Sequence, residues 1–273
     1  MTVPEALPDA RPMLLVGTAK GLFRLRATAD REANGWTLEG PWMGGHAVLH
    51  AWLDRRCPGR AWAALRHPVW GAHIHRSDDW GDHWEALPAP PPAHPPGLHP
   101  TTLNGIWFLA PGGDGNPNAL YAGIDPPGLF HSPDAGLTWQ SLDGLNRHPD
   151  RNTWEPSRGG FALHSIHCCP TRPERLYAAI SAGGAYRSDD AGRHWLAINR
   201  GVCARHLGNP TAASGHNIHR LLVSPLDPDR LYRQCYGGVY RSDDGGLNWI
   251  DIGAGLPSDF GYAIALSDRD DDS

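Results

Sequence analysis

Ser242-Asp243-Asp244-Gly245-Gly246-Leu247-Asn248-Trp249 is the clearest of four copies of one pattern, Ser-x-Asp-x-Gly-x-x-Trp. The first copy is Ser77, Asp79, Gly81 and Trp84. The second is Ser132, Asp134, Gly136 and Trp139, and the third is Ser188, Asp190, Gly192 and Trp195. The fourth supplies Ser242, Asp244, Gly246 and Trp249. They recur about every 55 residues, and a fixed period of this size marks a repeat architecture. The pattern suits a tight turn between two strands. An aspartate closes a local turn by accepting backbone N–H groups, and glycine adopts positive φ at little cost. The tryptophan buries a large ring against neighbouring strands, with its N–H finding a partner.

Around the fourth copy lie strand-length runs at 218–223, 231–235, 239–242 and 249–252, separated by Gly, Pro and Asp. Around the third they fall at 163–169, 176–180, 185–188 and 195–199. No stretch shows sustained helical periodicity. Four short strands per unit predict an all-β chain, a β-propeller of about five four-stranded blades. A β-solenoid is the rival, but its coils are shorter and lack a tight hairpin motif. At the N-terminus, 14–18, 21–25 and 36–39 align with the second, third and fourth strands of later units. At the other end, 261–267 reads as a lone first strand. The chain therefore begins at strand two and ends at strand one. The last strand would complete the first blade of a closed ring, or the chain is an open arc cut from a longer, seven-bladed parent. Residues 1–12 read as a disordered segment, 13–267 as one domain and 268–273 as an acidic tail.

The chain has 273 residues and a net charge of −5, with no basic run to suggest nucleic acid and no apolar run of membrane-spanning length. The first residues lack the apolar stretch of a secretory signal. Five cysteines with no C-x-x-C spacing read as reduced thiols of a cytoplasmic protein. Oligomeric state is not legible.

On these repeats the chain resembles the Asp-box, or BNR-repeat, superfamily. That superfamily includes sialidases, other glycoside hydrolases, sortilin-type receptors and photosystem assembly factors. The stretches 181–190 and 255–261 look most like bacterial BNR-repeat propellers named as glycosyl hydrolase-like. The resemblance implies a fold and, by itself, no activity. Sialidases hold their substrate's carboxylate with three arginines. This chain lacks the Arg-Ile-Pro signature, and Arg66, Arg147, Arg151, Arg158 and Arg205 do not fall at matching strand positions.

In a four-strand meander the Ser-x-Asp turns share a face with the first hairpins. The long connections 88–102, 143–162 and 200–217 lie on the opposite face, and long loops on a rigid scaffold are where function concentrates. The first strands enter from that face. His50, His164 and His219 hold comparable places on three of them, with Trp107 in that region of a fourth, which predicts a ring at the funnel mouth. Water- or backbone-bonded imidazoles and a ligand site both fit that pattern. No cofactor is expected, although three histidines would also suit a metal. A glycosidase needs two carboxyl groups across a sugar-sized gap. The candidates are Glu155, Asp125 and Asp259, with Trp154, Tyr236 and Arg220 as further binding residues. The expected partner is a small polar ligand or glycan, with or without hydrolysis. The alternative is a non-catalytic propeller scaffold for protein or ligand.

Overall fold

The computed structural model describes residues 12–28, 35–93, 102–113, 115–156, 160–169, 171–204 and 206–267. The expected N-terminal disordered segment (but for residue 12) and the acidic tail lie outside them, as do Arg158 and Arg205. The chain forms five antiparallel sheets in sequence order, each a meander. The first has three strands, β1 (Met13–Thr18), β2 (Gly21–Ala27) and β3 (Trp36–Trp42). The second is β4 (Ala47–Leu53), β5 (Ala61–His67), β6 (Gly71–Ser77) and β7 (Glu85–Ala86). The third is β8 (Gly105–Pro111), β9 (Leu120–Asp125), β10 (Gly128–Ser132) and β11 (Gln140–Ser141). The fourth is β12 (Leu163–Cys169), β13 (Arg172–Ile180), β14 (Gly184–Ser188) and β15 (Leu196–Ala197). The fifth is β16 (Ile218–Val223), β17 (Leu231–Cys235), β18 (Gly238–Ser242) and β19 (Ile250–Asp251). Among the described residues helix is confined to the connection after β11, as α1 (Asp143–Asn146) and a short 3-10 turn, Pro149–Thr153.

The motif turns are built from side chains. Ser77, Ser132, Ser188 and Ser242 each donate from Oγ to Oδ1 of the motif aspartate, Asp79, Asp134, Asp190 or Asp244, at 2.8 or 2.9 Å. The same Oγ accepts from the backbone N–H of Gly81, Gly136, Gly192 or Gly246. Those glycines sit at φ of 91°, 83°, 87° and 88°, where a Cβ would be strained. The aspartate also binds the residue just before the tryptophan. Its Oδ1 accepts the backbone N–H of His83, Thr138, His194 or Asn248, and its Oδ2 meets the side chain of the same residue. Outside the turn, Asp78, Asp189 and Asp243 pair with the arginine two places earlier, Arg76, Arg187 and Arg241.

The motif tryptophans divide into two pairs, which corrects the expectation of four buried rings. Trp195 and Trp249 are buried, whereas Trp84 and Trp139 are half-buried against their clusters. Long connections reach over the buried pair: His148 Nε2 donates to Trp195 O, and the Trp249 N–H donates to Arg200 O. The indole partners differ too. Trp84 Nε1 donates to Gly81 O and Trp195 Nε1 to Gly192 O, each at 3.0 Å. Trp249 Nε1 reaches the preceding blade at Ile198 O, 2.8 Å away. Trp139 Nε1 meets no acceptor among the described residues.

The core lies between the blades, in four clusters that each join neighbouring sheets. One column of residues sets how close neighbours come. Aligned places on the second strands read Gly17, Ala64, Gly123, Ala179 and Gln234. A Cβ at Gly17 would lie 2.7 Å from Val48 O, and one at Gly123 only 2.3 Å from Leu163 O. These carbonyls belong to the first strand of the following blade. The place is small in the four blades that have a following blade. It is large only in the fifth, where Gln234 instead donates to Asp259 O.

The innermost strands neighbour one another in the order β1, β4, β8, β12 and β16, and no contact of that extent joins β16 to β1 among the described residues. Leu14 and Val16 of β1 and Ile250 of β19 are exposed. The lone strand expected at 261–267 does not form, and this corrects the closure it would have supplied. The segment leaves blade five held by His219, whose Nδ1 donates to Gly261 O at 2.6 Å, and by the Gln234 bond.

Candidate functional site

Each of the four innermost strands after the first blade carries a register shift near its start. It falls between Val48 and His50, Ile106 and Phe108, Leu163 and Ser165, and Ile218 and Arg220. The residue left out of the pairing is Leu49, Trp107, His164 or His219. A bulge re-aims the side chain it releases. Here it turns three of the four, Trp107, His164 and His219, into one cavity of about 520 Å³. The bulge also corrects the expected ring. His50 does not match His164 and His219. It matches Phe108, Ser165 and Arg220, one residue further along, and it does not line the cavity.

The remaining walls come from the second hairpins and the long connections, the side opposite the motif turns. Tyr236 and Ser181 follow second strands, and His206 lies in the connection before β16. Phe260 and Tyr262 belong to the segment that His219 holds. Tyr262 stacks on the His219 ring at 4.6 Å, while Phe260 meets Tyr236 edge-on at 5.8 Å. His206, Phe260 and Tyr262 were not foreseen. The aromatic pair flanking Gly261 was a visible signal, but nothing in its sequence brought it to blade five.

Burial holds His164, His167 and His50 of this region neutral. His164 Nε2 donates to Ile218 O, and its Nδ1 faces the Ser165 hydroxyl, each at 3.0 Å. Burial pushes its pKa down to about 4, with the Arg220 charge adding to the effect and the bond to Ile218 opposing it. His167 is pushed down to about 4 by the same burial, against the pull of its bond to Leu221 O. His50 goes lower, to about 3, through burial and then Arg220. Its Nδ1 accepts the Leu109 N–H, and its ring lies 4.3 Å from that of Phe108.

The expected acids are not brought together in the cavity. Asp125 ends β9, where its Oδ1 accepts from Asn104. Asp259 is exposed, and its carbonyl accepts from Gln234. Glu155 is exposed and lines a second groove of about 510 Å³, which shares His206 and Asn217 with the cavity. None of the described residues lining the larger cavity is Asp or Glu. Trp154 is withdrawn from it: its ring is buried, packs edge-on against Tyr186, and donates from Nε1 to Tyr186 Oη at 2.8 Å. It pins the long connection to blade four, which corrects its expected place at the binding surface. Arg220 does not line the cavity either; its guanidinium lies 5.0 Å over the Phe108 ring. Among the described residues no group of three or more His, Cys, Asp or Glu is placed to hold a metal ion.

No family model and no curated protein matches this chain. Solved structures do. A GH74 enzyme from Niastella koreensis superposes with a TM-score of 0.61 at 18% identity, covering 92% of this chain and 36% of its own. A GH74 xyloglucanase from Xanthomonas campestris gives 0.53 at 18%, covering 91% and 44%. An ancestral GH74 enzyme gives 0.57 at 18%, covering 81% and 26%. The chain thus spans less than half the length of these relatives. At such identity the likeness shows the β-propeller fold and nothing finer.

Proposed function

We propose that this chain is an Asp-box propeller that binds a carbohydrate in the cavity walled by Trp107, His164, His219, Tyr236, Phe260 and Tyr262. The observation that carries the reading is the composition of that wall. Flat aromatic rings stack on the apolar faces of a sugar, and a ring nitrogen such as Nε2 of His219, whose Nδ1 is taken by Gly261 O, can meet one of its hydroxyls. Convergent polar groups beside aromatic surfaces are the default signature of a binding site. The fold shared with GH74 enzymes, one of them a xyloglucanase, is consistent with a glycan as the ligand class. Binding alone is the first reading because no carboxylate lines the cavity among its described residues, whereas most glycosidases set two carboxyl groups across the scissile bond.

The test is a glycan array followed by titration calorimetry on the hits. Trp107→Ala and Tyr236→Ala should each weaken the best ligand at least tenfold, with folding intact by circular dichroism. A hit whose affinity is untouched in both variants overturns the reading. Hydrolysis is the second reading. It is favoured by Glu155 in the groove that shares His206 and Asn217 with the cavity. Glu155→Gln should then abolish turnover of the bound glycan and leave its affinity unchanged.

A further inference from the structure

We propose that the tier below the cavity, Arg220 with His50 beside Phe108, is an oxyanion site for a carboxylate or phosphate group on the ligand. This deepens the carbohydrate reading but rests on different residues. The bulges define the tier: His50, Phe108, Ser165 and Arg220 are the residues that resume pairing after each one. The Ser165 hydroxyl accepts the Leu221 N–H, while side chains from the other three strands, His50, Phe108 and Arg220, meet at one place. Phe108 marks its centre, with the Arg220 guanidinium at 5.0 Å, the His50 ring at 4.3 Å and the His167 ring at 6.3 Å.

Arg220 makes no ion pair and no hydrogen bond among the described residues, and its burial works against its charge. Arg24, Arg56, Arg60, Arg175, Arg187 and Arg241, by contrast, each meet a carboxylate. A half-buried guanidinium cannot shed its proton, and a charge withdrawn from water without a counter-charge is costly. Phe108 occupies one face of the group. The N–H edge, which grips carboxylate and phosphate in a two-point fashion, meets no protein acceptor among the described residues. His50 supplies a second donor. Because its Nδ1 accepts from Leu109 N–H, the neutral ring carries its proton on Nε2. The tier adjoins the cavity along the strands, because Trp107, His164 and His219 of the cavity immediately precede Phe108, Ser165 and Arg220.

The experiment measures thermal stability and calorimetric affinity of the full chain at constant ionic strength, with inorganic phosphate, glucuronate and glucose as probes. Phosphate, glucuronate or both should raise the melting temperature saturably, and an anionic probe should bind at least tenfold more tightly than glucose. Arg220→Gln should lose at least tenfold in anion affinity, Arg220→Lys should keep part of it, and His50→Gln should lose several-fold. Preference for phosphate names a phosphate ligand, and preference for glucuronate a carboxylate. The proposal is overturned if neither anion stabilises the wild type, if glucose binds as well as the better of the two anions, or if Arg220→Gln binds like the wild type. Should Arg220→Gln not fold, the wild-type titrations and Arg220→Lys decide. Inorganic phosphate has no sugar ring to stack, so its titration decides this proposal and the glycan array decides the carbohydrate reading, and the two fail separately.

Discussion

Asp190 shows how one side chain holds a turn. It binds His194 twice, through the backbone N–H and the imidazole Nδ1, and Ser188 once. These bonds, the His194 backbone bond first, hold its carboxyl well below the usual carboxylate range. Asp190→Ala removes these acceptors at once and orphans the His194 backbone N–H and the Ser188 hydroxyl. The expected cost is roughly 1–3 kcal/mol of unfolding free energy in urea titrations, with no change in ligand affinity of the folded protein. Loss of binding at unchanged stability would place the ligand site on the motif face instead. The residue before the tryptophan was not foreseen as part of the motif. His, Thr, His and Asn at that place look unrelated as letters. They share only a side-chain donor at the right reach, and the turn's three-dimensional closure is what selects it.

At the scale of the strand, the bulge and the small residue beside it act together. Gly123 pairs with Phe108, just past the bulge that frees Trp107, and its missing Cβ leaves room for Leu163 O of the next blade. Gly123→Ala would put a methyl group 2.3 Å from that carbonyl, and backbone on both sides cannot yield as a flexible side chain does. The expected loss is about 2 kcal/mol or more in chemical denaturation, with weakened ligand binding because Trp107 and His164 shift apart. A variant as stable as the wild type would show that the blades tolerate a wider spacing than their small column implies. The strands themselves were legible from alternation and turn residues. The bulges were not, since they insert one residue without any glycine or proline to mark it. A one-residue slip is all that separates His50 from the ring in which it was expected.

Across the whole molecule, buried imidazoles decide how stability depends on pH. His164, His167, His75 and His216 are pushed down to about 4, and His50 to about 3, in each case chiefly by burial. An unfolded histidine titrates near 6.5, so between 6.5 and 4 the unfolded chain binds more protons than the folded one. The stabilisation is therefore complete above pH 6.5 and is lost as the pH falls toward the folded values. Urea unfolding at constant ionic strength should show a fall of several kcal/mol between pH 7 and pH 4.5, about 2 kcal/mol for each ring that stays enclosed. The motif carboxylates, which are held low, would not yet contribute to that loss. A flat profile over this range would mean that these rings are hydrated and not enclosed.

Sequence alone determined the repeat, the four strands of a blade, the motif turns and the side of the molecule away from them. Each of these rests on local patterns: alternation, turn chemistry and period. The cavity required tertiary structure. Trp107, His164 and His219 converge because bulges turn them out of their sheets, and Phe260 and Tyr262 reach them because His219 captures the chain at Gly261. Trp154, beside a candidate acid in sequence, turns away because Tyr186 offers its indole a buried partner. Arg220 has no acid facing it among the described residues, a fact that depends on what four separate blades bring to the channel. No window of sequence holds that information, because the residues that meet there are separated by whole repeats.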